Sequence, residues 1–305
     1  MKLENSILKV LVYFDMFQYP ITYEEIKFFI DLKASDFELS STLKQMLCDG
    51  QVFRLNEFYS VQNNYELAER RIKGNKHAGH LLQRAYKISE FLFLFPFVRG
   101  IGISGSLSKN FADPNADIDF FLITKSNRLW ISRTFLHLFK KLTFLVKKQH
   151  WFCMNYFVDE DAMLIEEKNV FTAMELITLL PACGNGSLGK FFNANDWARE
   201  YYPNYRHRNF TAHGTMHDPW YKKVIEWLFE NRLGDRLDDY FLRLTSRRWK
   251  KKEDEMRLNI KGNRMGIRTG KHYSKPNPNH FQEKILMLYY TRLHEFDIGE
   301  QVGVS

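Results

Sequence analysis

Two short stretches of this chain hold side chains whose types and spacing suit chemistry. Gly102-Ile103-Ser104-Gly105-Ser106 closes one apolar run, and after ten intervening residues Asp117-Ile118-Asp119 opens another. Residues two apart on a strand project to the same face, so Asp117 and Asp119 are expected side by side while Ile118 points into the core. Two adjacent carboxylates are costly unless cations neutralise them. Magnesium, or manganese in its place, suits such a pair, because hard divalent ions prefer oxygen and are normally shared between one or two carboxylates and substrate phosphates. Two such ions about 4 Å apart hold an attacking hydroxyl and a leaving pyrophosphate in nucleotidyl and phosphoryl transfer. Gly105 lacks a Cβ and lets backbone approach a polyphosphate, and Ser106 offers an amide and a hydroxyl. Lys109 adds positive charge nearby, and Asn110 stands where the loop turns, since Asn tolerates the left-handed conformation. The bland alternative is a Gly-Ser turn before a solvated loop. The apolar Phe120-Phe121-Leu122-Ile123 directly after the acidic pair argues against it.

The stretch 105 to 119 resembles the DNA polymerase beta-like nucleotidyltransferase superfamily, whose minimal members show Gly-Ser, ten residues, then Asp-x-Asp. Pro114 falls where such loops often carry proline, while Asn110 replaces a customary glycine and Ala116 the usual serine before the first aspartate. The resemblance covers residues 98 to 165 and extends loosely to bacterial nucleotidyltransferase-domain proteins that carry a winged helix. It implies transfer of a nucleoside monophosphate from a nucleoside triphosphate to an acceptor hydroxyl, with release of pyrophosphate. Asp117 and Asp119 would ligate Mg2+ or Mn2+, and Gly105, Ser106 and Lys109 would hold the nucleotide. The acceptor is left open among a small molecule, a protein side chain and an RNA end. The resemblance also implies a third carboxylate on a later strand, acting on the catalytic metal and as general base. That strand reads Trp151 to Asp159, so the expected position holds Asn155, with Asp159 at the strand end as the alternative. An Asn can coordinate through its carbonyl but carries no charge and cannot serve as a base. Asn155 therefore motivates a rival expectation: a degenerate fold that senses nucleotides and passes the result to the winged helix or a partner.

Hydrophobic periodicity and turn chemistry place these stretches on elements. Residues 6 to 18 read as a helix stopped by Pro20, Thr22 and Glu25 form a capping box before a second helix, and Ser40 or Ser41 caps a third through Leu43, Met46 and Leu47. Strands 51–55 and 58–61, joined at Asn56-Glu57, complete a winged helix. A long helix over 65–94 precedes strands at 99–104 and 118–124, a helix at 128–146 and a strand at 151–158. Helices follow at 172–180, 220–229, 236–257 and 281–294. The expected fold is α+β: a winged-helix domain (1–64), a nucleotidyltransferase core with a mixed β-sheet, flanking helices and a leading helix (65–165), and a C-terminal helical region closing the cleft (166–305).

Composition bounds the partners. The 305 residues carry a formal charge of +8, with 45% hydrophobic residues that include 27 Phe and 15 Tyr, enough for sizeable cores. A basic balance favours polyanions. The segment 243–275, with Arg247, Arg248, Lys250, Lys251, Lys252, Arg268 and Lys271, is the candidate nucleic-acid contact, and its stretch Lys261 to Asn279 the candidate functional loop. Arg128 and Arg133, at the start of the helix after the second strand, are within reach of phosphate in sequence terms. Cys48, Cys153 and Cys183 stand far apart with no C-x-x-C pair, which argues against a disulfide framework and a four-thiolate zinc site. His213 and His217 have metal spacing, but Gly214 and Asp218-Pro219 argue against a helix there. No signal peptide or membrane-length apolar run is found, so a cytoplasmic protein without a membrane partner is expected.

Overall fold

The computed structural model describes residues 2–143, 145, 151–205, 218–258, 262, 266–276 and 280–299. Helix α1 (Lys2–Asp15) is apolar around most of its circumference, so it must be covered on several sides. Helices α2 (Tyr23–Phe29) and α3 (Asp36–Cys48) cover one side. Strands β1 (Ile21–Thr22), β2 (Phe53–Leu55) and β3 (Phe58–Ser60) form a small antiparallel sheet in the order β1-β3-β2. Thr22 and Glu25 close the expected capping box at α2. The cap expected at Ser40 or Ser41 is instead Ser35, boxed with Glu38, so α3 begins a turn earlier. Ser35-x-x-Glu38 meets the same pattern as Thr22-x-x-Glu25; the first turn between it and Leu39 is solvent-facing, with Asp36, Phe37 and Glu38 all exposed, and hid the start.

Helix α4 (Tyr65–Phe93) leads into β4 (Val98–Ser104), followed by the one-turn helix α5 (Gly105–Ser108), β5 (Asp119–Thr124), α6 (Leu129–Thr143) and β6 (Cys153–Asp159). The chain continues through α7 (Val170–Thr178), β7 (Leu180–Cys183), α8 (Asn185–Ala194), α9 (Ala198–Tyr201), α10 (Trp220–Phe229), α11 (Arg232–Asp254), β8 (Ile267–Thr269), β9 (Tyr273–Pro276) and α12 (Phe281–Glu295). Six strands form one mixed sheet in the order β7-β4-β5-β6-β9-β8, in which only the β5–β6 pair is parallel. The sheet therefore does not end at residue 165. Pro181, directly after the helix expected over 172–180, sits in edge strand β7, where a missing N–H is tolerated. The expected loop Lys261 to Asn279 contains the β8–β9 hairpin, whose β9 pairs with β6.

The two faces of the sheet bury different sets. Ile118, Phe120, Leu122, Met154 and Phe157 pack with α4 and α6. Phe121, Ile123 and Val158 join one cluster with α1, α2, α3, α7, α8 and α12. The unit 1–64 thus shares its core with the sheet rather than enclosing a separate one. On the α6 face, Arg128 donates to the Phe229 carbonyl (2.9 Å) and pairs with Asp235 (2.6 Å), while Arg133 is buried against the Trp130 and Phe157 rings. Burial alone pushes the Arg133 guanidinium down to about 10. Both arginines are committed to this interior. Asp238 of α11 accepts from the Trp130 and Ile131 amides (2.8 and 2.9 Å), satisfying the orphan donors at the start of α6. No helix among the described residues is long and apolar enough to cross a membrane.

His137 of α6 lies against Phe157, with Nε2 enclosed and without a hydrogen-bond partner. Burial first, then Arg133, Lys140 and Lys141, holds its pKa well below the ordinary 6.5. Below that ordinary value the unfolded chain takes up a proton the folded chain refuses, so stability falls with pH, by up to about 1.4 kcal/mol per unit. Urea midpoints measured from neutral pH down through the mildly acidic range are expected to drop in wild type and to drop less in His137→Phe; equal slopes would remove His137 as the cause.

Candidate functional site

The β4–β5 pairing sets Ser104 opposite Asp119, so the chain turns at Gly105 directly against the Asp119 side chain. Gly105 takes φ +70°, and a Cβ placed there would lie 2.6 Å from Asp119 Oδ2. Both facts require glycine. The Ser108 hydroxyl (2.8 Å) and Lys109 Nζ (3.3 Å) donate to the Gly105 carbonyl. Asn110 adopts φ +58°, the left-handed turn expected of it. Beyond it Phe111 fits against Gly74 of α4, where any Cβ would come within 2.2 Å of the ring, and the Ala112 amide donates to the Gly74 carbonyl (3.3 Å). Arg70 pairs with Asp113 (3.0 Å), and the Tyr19 hydroxyl donates to the Lys109 carbonyl. Helix α4 and the N-terminal unit therefore hold the loop that links the Gly-Ser bend to the acidic pair.

Asp117 and Asp119 are half-buried and flank the fully buried Ile118, with Asp119 opening β5 and Asp117 just ahead of it. Both carboxylates act on Cys153, opposite Asp119 on β6: burial first, then Asp119 and Asp117, pushes its thiol up to about 12. The register of β5 and β6 slips after Phe120↔Met154, and Phe121 pairs with Tyr156, which leaves Asn155 as the extra residue of a bulge. Asn155 keeps the face that Cys153 shares with Asp119, and the bulge brings Tyr156 onto that face as well. Asn155 Nδ2 donates to Asp119 Oδ1 (2.6 Å), and the Cys153 thiol donates to Asn155 Oδ1 (3.1 Å). Asn155 is thus in direct contact with Asp119.

Asp159, the alternative, is not. It pairs with Thr124 at the other end of β5, five residues or about 17 Å along the strands from the Asp119 end. There it accepts from the amides of Asn127 and Asp161 (both 3.0 Å) and bonds His272 Nδ1 (2.8 Å). Asp161 in turn accepts from Ser126 (2.7 Å) and Asn127 (3.1 Å). Asp159, Asp161 and His272 have metal-ligand types in close range, but these donors already occupy the carboxylate oxygens and make the cluster a clasp between loops.

Two cavities meet over the Gly105–Asp119 corner. One, of about 280 Å³, is lined by Asn155, Tyr156, Phe121, Phe191 and Leu176 and reaches Arg268 and Lys275. The other, of about 400 Å³, is lined by Ser106, Lys109, Arg70 and an aromatic wall of Tyr13, Phe17 and Tyr19. Gly105, Asp119, Phe171, Glu175 and Phe281 line both, whereas Asp117 lines neither. Glu175 of α7 was not singled out by spacing. Its signal was composition: it is the one charged residue in Val170–Thr178, an otherwise apolar helix. Among the described residues of the basic segment, Arg268 and Lys275 line the first of these two cavities, and carboxylates answer both: Arg268 pairs with Glu167 (3.3 Å) and Glu283 (2.5 Å), Lys275 with Glu167 (3.3 Å). The α11 cations lie on the helix that packs against α6, on the opposite side of the sheet. His213 and His217 lie outside the described residues.

The donor set fits a hard divalent ion: half-buried carboxylate oxygens beside an amide able to turn its oxygen inward, with no thiolate ionised nearby. Gly105→Ala is expected to cost about 1–2 kcal/mol from the left-handed backbone alone, read as a lower urea midpoint; an unchanged midpoint would argue against that conformation. Near neutral pH, iodoacetamide is expected to alkylate exposed Cys48 and to spare Cys153, followed by mass spectrometry. No family model, curated protein or solved structure matches the chain.

Proposed function

We propose that the chain is a metal-dependent nucleotidyltransferase of the DNA polymerase beta-like kind, moving a nucleoside monophosphate from a nucleoside triphosphate to an acceptor hydroxyl. The observation that carries this reading is the left-handed Gly105 bend set against Asp119, where two cavities join, with half-buried Asp117 two residues ahead of Asp119 in the chain. A triphosphate enters on the side of Ser106, Lys109 and Arg70, where the hydroxyl, the amide and two cations meet its oxygens. The glycine lets backbone and phosphate approach closely, and the aromatic wall of Tyr13, Phe17 and Tyr19 keeps bulk water from the nucleotide. Asn155 orients the Asp119 carboxylate. Bound Mg2+ or Mn2+, held by Asp117 and Asp119, supplies charge stabilisation for the leaving pyrophosphate. The acceptor enters from the side of Asn155 and Tyr156.

The N-terminal unit is read as a winged helix whose work here is to wall the cleft. Its α3 offers a polyanion one exposed cation, Lys44, among Asp36, Glu38 and Asp49. Asn155 favours the second reading, a nucleotide sensor without turnover.

Incubation with Mg2+, labelled triphosphates and panels of small-molecule, protein and RNA acceptors tests both. Pyrophosphate release is expected, reduced at least about a hundredfold in Asp117→Ala and Asp119→Ala, since even partners behind the ligands are worth about 10–100-fold. Triphosphate binding without release favours the sensor, and no binding at all overturns both readings.

A further inference from the structure

A transferase of this kind needs a group that accepts the acceptor's proton, and Asn155 cannot be that group. The reaction centre must lie where the nucleotide and acceptor cavities meet. Five residues line both, and only Asp119 and Glu175 among them carry carboxylates. Glu175 stands on α7, outside the sheet, and its side chain keeps 32% exposure. Lys109 Nζ donates to Glu175 (2.7 Å) and to the Gly105 carbonyl (3.3 Å), so the Glu175 carboxylate lies within about 6 Å of the bend that abuts Asp119.

We propose that Glu175, delivered from α7, takes the place of the absent strand carboxylate: it completes the acidic donor set with Asp117 and Asp119 and receives the acceptor's proton. The inference rests on the nucleotidyltransferase reading. Without ligand, Lys109 neutralises Glu175. A triphosphate arriving at Ser106 competes for Lys109 and leaves Glu175 facing the acceptor. As the acceptor O–H bond breaks, its proton passes to Glu175. The acceptor oxygen bonds the α-phosphorus, and the bond from that phosphorus to the bridging oxygen breaks, so that pyrophosphate leaves with the electron pair.

Titration of Mn2+ by electron paramagnetic resonance, with a non-hydrolysable triphosphate present, tests this without turnover. Wild type is expected to bind Mn2+, Glu175→Gln to bind at least about tenfold more weakly, and the double variant Glu175→Gln with Asn155→Asp to recover most of the loss by returning a carboxylate to the strand. Glu175→Asp, one methylene shorter, is expected to fall between wild type and Glu175→Gln and serves if the glutamine variant does not fold. Equal Mn2+ affinity in wild type and Glu175→Gln, or a double variant as weak as the single, overturns the role of Glu175 and leaves the reading of the site standing. Absence of Mn2+ binding in wild type overturns both.

Discussion

One backbone pairing organises this molecule: Ser104 opposite Asp119, with the chain turning left-handed at Gly105 immediately beyond. A slip of one residue would send Asp119 to the far face and Phe120 into the cleft, because side chains alternate along a strand. The register is held from both ends. Ile101, Ile103, Phe120 and Leu122 are buried together beneath the sheet, and the linking loop is fastened to α4 through Phe111 in the notch at Gly74. The same contacts that stabilise the fold thus set the distance between bend and acid.

Where hydrophobic periodicity was long and uninterrupted, the sequence was legible. Helix α4, strands β4, β5 and β6, and helix α6 fall within a few residues of their expected limits, as do the Thr22–Glu25 box and the turn at Asn110. The closeness of Gly105 to Asp119 was legible for the same reason, since both lie on one short strand–loop–strand unit. What escaped was set by tertiary contact. Strands β7, β8 and β9 are three or four residues long, too short to show alternation, and exist because the sheet offers them edges. Glu175 is distant in chain order from the acidic pair, and only packing of α7 over the cleft brings it there.

The bulge at Asn155 shows how a local irregularity shapes chemistry. In a regular β6, Asn155 and Tyr156 would face opposite sides. The extra residue puts both on the cleft, one touching Asp119 and the other walling the cavity, while Met154 and Phe157 remain in the opposite core. The sequence around Asn155 gives no glycine or proline to announce this.

The N-terminal helices show a further consequence. Their apolar side chains form one cluster with Phe121, Ile123 and the helices α7, α8 and α12, and Asp15 of α1 is bonded to Gln62 and to Arg292 of α12. The boundary near residue 65 is therefore one of pattern and not of cooperativity. Removing the first helices would strip a wall from the larger cavity and bare the oily side of the sheet at once, so the segment that resembles a detachable module is expected to melt together with the rest, and a ligand lodged in that cavity to tighten both halves of the chain.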